Sequence, residues 1–126
     1  MKMMKTLALA SLLAASSAMA QQYPTRNITM LVPYAAGGPT DTVARVVAQR
    51  MTTSLGQTVV VENRPSAGGI LAPEQVKNAR PDGYTILIHH VGMATTPALY
   101  RKLRFDPLSD FDYVGLINDV PMTLVG

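Results

Sequence analysis

The chain has no cysteine. That excludes disulfides, thiol catalysis and thiolate metal sites, as well as a lipid anchor built on an N-terminal cysteine. A folded domain of this sequence is therefore held by its core alone. Charge is also sparse: 15% of residues are charged and the net charge is +3, with no acidic or basic tract. Lys2 and Lys5 belong to the opening segment, and without them nine basic residues face eight acidic ones. The basic residues from Arg26 to Arg104 are scattered, with no aromatics interleaved as a stripe, which argues against a nucleic-acid partner. There is no G-x-x-x-x-G-K-S/T loop, no G-x-G-x-x-G fingerprint and no G-x-S-x-G elbow. No nucleophile is paired with a base at a defensible spacing, so the reading is a protein without catalysis or cofactor. Internal repeats and low-complexity stretches are absent too.

What is present begins with an export signal. Met1 to Lys5 is a short positive segment, Thr6 to Ser17 an apolar run rich in Leu and Ala, and Ala18-Met19-Ala20 fits the small-x-small cleavage rule. Residues 1–20 are read as a signal peptide cleaved after Ala20. The apolar run is too short for a bilayer core of about 30 Å, so no stable membrane insertion is expected after cleavage. No paired arginine is present, which favours the Sec route and a periplasmic destination.

Residues 21–126 alternate strand and helix signals. Asn27 to Pro33 is β-rich and apolar. Tyr34 to Pro39 is a loop with Gly37-Gly38, and a helix should start near Thr40, with Val43, Val47, Met51 and Leu55 on one face and Ala44 and Val46 widening it. Asp41 in its first turn suits the positive end of the helix dipole, and Gly56 should end it. Thr58 to Glu62 is a second strand and Asn63 to Gly69 a second glycine loop. A short helix is expected over Pro73–Ala79, a turn at Pro81-Asp82-Gly83, and a third strand over Tyr84–His89. A further loop and short helix follow, from Thr95 to Lys102. A fourth strand is expected over Phe111–Ile117, and a fifth starting at Met122. Such alternation implies βαβ units and a mainly parallel sheet. The chain stops inside the last apolar run, and truncation is the simplest expectation.

In an open α/β sheet, ligands bind beyond the carboxyl ends of the strands. Three loops lie there: Tyr34–Asp41, Asn63–Gly69 and His89–Thr95. The first combines a Gly-Gly pair with a helix N-terminus, a combination that binds anions, although an ordinary capped turn has the same pattern. Ser66-Ala67-Gly68-Gly69 repeats the ingredients with a weaker helix behind it. Asn63 and Arg64 could approach a ligand from there. His89 and His90 are adjacent at a strand end, where neighbouring side chains point to opposite faces. With no third histidine to help, a zinc site is not expected.

Tyr23-Pro24, the run Val32-Pro33-Tyr34-Ala35-Ala36-Gly37-Gly38-Pro39-Thr40-Asp41-Thr42-Val43-Ala44-Arg45, and Leu55-Gly56-Gln57-Thr58-Val59-Val60-Val61-Glu62-Asn63-Arg64-Pro65 together resemble the substrate-binding proteins of tripartite tricarboxylate transporters, the Bug family. Pro81-Asp82-Gly83-Tyr84-Thr85, Pro97-Ala98-Leu99-Tyr100, Asp106-Pro107-Leu108 and Asp110-Phe111 continue the match. The resemblance implies a periplasmic-binding-protein-like (type II) α/β architecture of two lobes closing on a small carboxylate. The protein would be monomeric at full length and would deliver its solute to a two-subunit membrane permease. Residues 21–126 would supply part of the first lobe, without the second. The resemblance also implies a ligand-carboxylate site, held through backbone groups and ordered water, at Tyr34, Ala36, Gly37, Gly38, Thr40 and Asp41. Ser66, Ala67, Gly68, Gly69 and the residues after the third strand, His90 among them, would line the cleft. The family usually carries small hydroxyl residues or glycine where His89 and His90 stand. A histidine there would add a cation at mildly acidic pH, or obstruct the usual pose. Other outcomes are a secreted sensory or interaction protein that presents a ligand-bound lobe to a partner, and a fragment with no function of its own.

Overall fold

The computed structural model describes residues 22–119. The signal-peptide reading and the expected fifth strand lie outside them. Three strands form a sheet in the order β2-β1-β3: β1 (Ile28–Val32), β2 (Val59–Asn63) and β3 (Thr85–Leu87). Both pairings are parallel, with Ile28 opposite Val59, Val32 opposite Asn63, and Met30 opposite Ile86. The ladders run one residue further through Arg64 N–H donating to Val32 O at 2.7 Å and Ile88 N–H donating to Leu31 O at 3.1 Å. These extensions tie the loops after β2 and β3 to the end of β1. All three strands thus open their carboxyl ends on one edge.

Helix α1 (Pro39–Leu55) packs on one face of the sheet. Pro39 sits at its start, where the missing N–H costs nothing. At the other end Gly56 adopts φ 68°, and its N–H returns to Thr52 O at 3.1 Å. The buried positions of α1 are Asp41, Ala44 and Ala48, with Val43, Val47 and Met51 half-buried beside them. The two alanines let the helix backbone approach Ile28, Met30 and Val32, the inward residues of β1, in one cluster with Val59 and Ile88. Val46, expected to widen this stripe, is instead 58% exposed, and Leu55 lies at the helix end. Helix α2 (Leu71–Lys77) touches β3 and β1 and makes the third layer, and α3 (Gly92–Leu99) sits against the 3-10 turn Ala67–Gly69.

Several sequence expectations need correction. Helix α2 starts before Pro73 and ends before Ala79. Helix α3 starts at Gly92 and ends at Leu99, where a loop and short helix were expected through Thr95–Lys102. Pro97 inside it removes a helix donor, and Tyr100 N–H closes the last turn on Thr96 O at 2.9 Å. Strand β3 stops at Leu87, short of both histidines. The expected fourth strand over Phe111–Ile117 is not one: residues 111–119 have no regular structure. Phe111 packs edge-on against Phe105, but the apolar side chains after it face solvent, Val114 98% and Leu116 87% exposed. An apolar run becomes a strand only beside a hydrogen-bonded neighbour, and the described residues offer it none. No helix among the described residues is long and apolar enough to cross a membrane.

Candidate functional site

The three loops expected from the sequence converge at the carboxyl edge, and a buried carboxylate organises the first of them. Asp41 is 2% exposed. One of its oxygens accepts from Gly37 N–H at 2.8 Å and from Arg45 Nε at 2.9 Å. The other accepts from Asn63 Nδ2 at 3.0 Å, and the same amide donates to Tyr34 O at 3.0 Å. Asn63 ends β2, so the Tyr34–Asp41 loop is cross-linked to the neighbouring strand and to the first turn of its own helix. The Arg45 guanidinium, followed by the Gly37 N–H and the Asn63 amide, holds the Asp41 carboxyl down to about 2. Its charge is matched on the spot by Arg45, one turn further along α1.

The bonding decides which loop groups remain available. The N–H groups of both glycines are occupied, Gly37 by Asp41 and Gly38 by Ala35 O at 3.4 Å. Pro39 has none, and Thr42 N–H closes the first helical bond on Gly38 O at 2.9 Å. The N–H groups of Ala35, Ala36, Thr40 and Asp41 have no partner among the described residues. Two of these are the orphan donors of a 17-residue helix, where the helix dipole favours an anion.

The second loop is self-stapled. Ser66 Oγ accepts from Leu71 N–H at 3.1 Å, and Ser66 O accepts from Gly69 N–H at 3.0 Å. Ala67 and Gly68 are exposed, with Tyr100 packed against Gly68, while Gly69 is buried. Arg64 turns away to pair with Glu62 at 2.8 Å.

Tyr34 links all three loops. Its ring stacks on His90 with centroids 4.5 Å apart and planes 8° from parallel, and meets His89 edge-on at 5.7 Å. The two imidazoles lie 5.4 Å apart. The expectation that they would face opposite sides of the sheet is therefore corrected: alternation applies only inside a strand, and β3 ends two residues earlier. Each ring is oriented by a backbone donor, His90 N–H to His89 Nδ1 at 2.9 Å and Gly92 N–H to His90 Nδ1 at 2.9 Å. Accepting from Gly92 N–H places the proton of the neutral His90 ring on Nε2, whereas His89 Nδ1 also lies 3.0 Å from His90 O. His89 Nε2 is buried without a hydrogen-bond partner among the described residues. Burial, more than any neighbouring group, pushes the His89 pKa down and the Tyr34 pKa up. No cluster of three metal-binding side chains occurs among the described residues. Two surface hollows of about 350 Å³ lie elsewhere, along α2 and residues 97–107.

Glycine loops, a helix N-terminus and aromatic donors thus meet on one edge of a parallel sheet, the edge at which open α/β folds take ligands. The comparisons with known proteins agree. Residues 43–126 match the tripartite tricarboxylate transporter family receptor, TctC, and the chain belongs to that family. A protein of Agrobacterium vitis from the TAR-I ttuE-ttuC′ intergenic region is 56% identical over 104 residues, covering 82% of this chain and 30% of its own. The periplasmic binding protein BugD aligns with TM-score 0.69 and 52% identity, over 71% of this chain and 30% of that one. MatC from Rhodopseudomonas palustris, solved with bound malate, aligns with TM-score 0.68 and 44% identity, over 71% and 31%. The chain thus spans about a third of the length of the curated relatives it matches. The fold is that of periplasmic binding proteins, and the family is one of receptors, in line with the non-enzymatic reading.

Proposed function

We propose that this chain is the front portion of a periplasmic receptor that captures a small carboxylate and passes it to a membrane permease of the tripartite type. The observation that carries the reading is the Asp41–Asn63–Gly37 cross-link, which holds a glycine loop at the start of α1 with the Thr40 and Asp41 N–H groups unpaired among the described residues. A carboxylate placed there meets fixed donors and a helix N-terminus, while the charge of Asp41 is already matched by Arg45. Tyr34, Ala36, Gly37, Gly38 and Thr40 would shape this subsite, with Asp41 as both donor and buttress. Ser66, Ala67, Gly68, Gly69 and His90 would form the adjoining wall. The malate bound by a relative makes four-carbon dicarboxylates the first ligands to try. Residues 1–20 would direct export and be cleaved after Ala20, leaving a soluble monomeric receptor at full length.

Isothermal titration of the full chain against di- and tricarboxylates, amino acids and aromatic acids tests the reading. Saturable binding of one class supports it, and no heat with any of them counts against it. Edman sequencing of the exported protein should begin at Gln21.

A further inference from the structure

We propose that Tyr34 and His90 form a rigid pair of neutral donors that selects ligands carrying a second oxygen acceptor beyond the anchoring carboxylate. This rests on the carboxylate-receptor reading and specifies which acids the receptor prefers.

The pair is built and braced. Gly92 N–H donating to His90 Nδ1 leaves Nε2–H as the donor of an exposed ring. The flat stack at 4.5 Å fixes the plane of that ring against Tyr34. Tyr34 in turn is wedged between two glycines: a Cβ at position 69 would stand 3.0 Å from its hydroxyl, and one at 92 would stand 2.9 Å away. Its backbone is held by Asn63 Nδ2 on its carbonyl at 3.0 Å. The Tyr34 hydroxyl has no hydrogen-bond partner among the described residues. His89 stands behind as a brace, taking His90 N–H on its own Nδ1.

The consequence is chemical. A cation at this place would reward a second negative charge. A neutral O–H and N–H reward any oxygen acceptor, whether carboxylate, hydroxyl or carbonyl. Because both rings are already ordered, little freedom is lost when a ligand engages them.

The test is isothermal titration of the full chain at pH 7.5 with succinate, 4-hydroxybutyrate and butyrate, which share a chain length and differ at the far end. Wild type should bind succinate and 4-hydroxybutyrate within about threefold of each other, and butyrate about tenfold more weakly, the effect of one hydrogen bond. His90→Phe keeps a stackable ring and deletes the donor. It should bring all three acids within about threefold of one another, whereas His90→Gln should retain the preference. Tyr34→Phe, which loses only the hydroxyl, should halve the preference at least and serves if His90→Phe fails to fold by circular dichroism. A preference unchanged in both Phe variants, or wild type binding succinate but not 4-hydroxybutyrate, would overturn the inference alone. No binding of these three acids, with saturable binding of an amino or aromatic acid, would overturn the inference alone; no binding across the whole panel would overturn the receptor reading and this inference with it.

Discussion

Three glycine-to-alanine substitutions separate the two reasons a chain needs glycine, and two of them land against Tyr34 in the proposed site. At Gly56 the backbone has φ 68° and a new Cβ would meet nothing within 4 Å. Gly56→Ala should therefore cost only the left-handed conformation, ~1 kcal/mol. At Gly92 the φ is ordinary, but a Cβ would stand 2.9 Å from Tyr34 Oη, 3.0 Å from His90 Cε1 and 3.1 Å from His89 Cε1. Gly92→Ala should cost the overpacking alone, ~1–3 kcal/mol. Gly69 carries both: φ 68°, and a Cβ 3.0 Å from Tyr34 Oη, 3.1 Å from Cζ and 3.2 Å from Pro33 Cβ. Gly69→Ala should cost the sum, ~2–4 kcal/mol. Urea denaturation followed by circular dichroism reads each as a shifted midpoint at constant slope. The steric part should also be recoverable. Adding Tyr34→Leu to Gly69→Ala should return about the difference between Gly69→Ala and Gly56→Ala, as a coupling energy. Equal costs for Gly69→Ala and Gly56→Ala would refute the claim that Tyr34 is wedged.

Asp41 has a folded-state pKa of about 2 against an ordinary 3.8, so its contribution to stability is complete above the ordinary value and is lost as pH falls through about 2. Asp41→Asn should flatten the acid-denaturation profile in that window, as followed by far-ultraviolet circular dichroism; an unchanged profile would show that Asp41 does not set it. Asn63→Leu, of similar shape, removes the amide shared by Tyr34 O and Asp41 and should weaken carboxylate binding by about tenfold in isothermal titration. Ile28→Ala opens a cavity in the layer between β1 and α1 where Ile28 is 1% exposed, and should cost ~2–5 kcal/mol in urea denaturation.

The first βαβ unit was legible because its signals are long and local. A β-branched run, a glycine-ended helix with four-residue periodicity and a second β-branched run each point the same way. Strand β1, helix α1 and strand β2 fall within a residue or two of expectation. Short elements were harder to bound. Seven-residue α2 and three-residue β3 are set by what they pack against, and composition alone misplaced their ends. Phe111–Ile117 shows the limit: its pattern is that of a strand, and its state depends on a neighbour that no local window contains. The site divides in the same way. The glycine loops were visible from their residues. The cross-link was not, because Asp41, Arg45, Asn63 and Tyr34 meet across up to 29 positions of sequence. Asn63 stood out only as a loop residue that could approach a ligand, and Arg45 only within the run shared with a known family. The histidine geometry was missed because the alternation argument assumed a strand that ends before it reaches them.

The wedging of one tyrosine ring between Gly69 and Gly92 makes positions 34, 69 and 92 a single steric unit drawn from three separate loops. None of the three can change size in isolation without disturbing the other two. A larger residue at 69 or 92 requires a smaller one at 34, and a smaller residue at 34 leaves an unfilled gap between the other two loops. Anyone grafting new specificity onto this edge should vary the three together, as one compound site in a combinatorial library, and leave the Asp41–Asn63 cross-link in place as the frame.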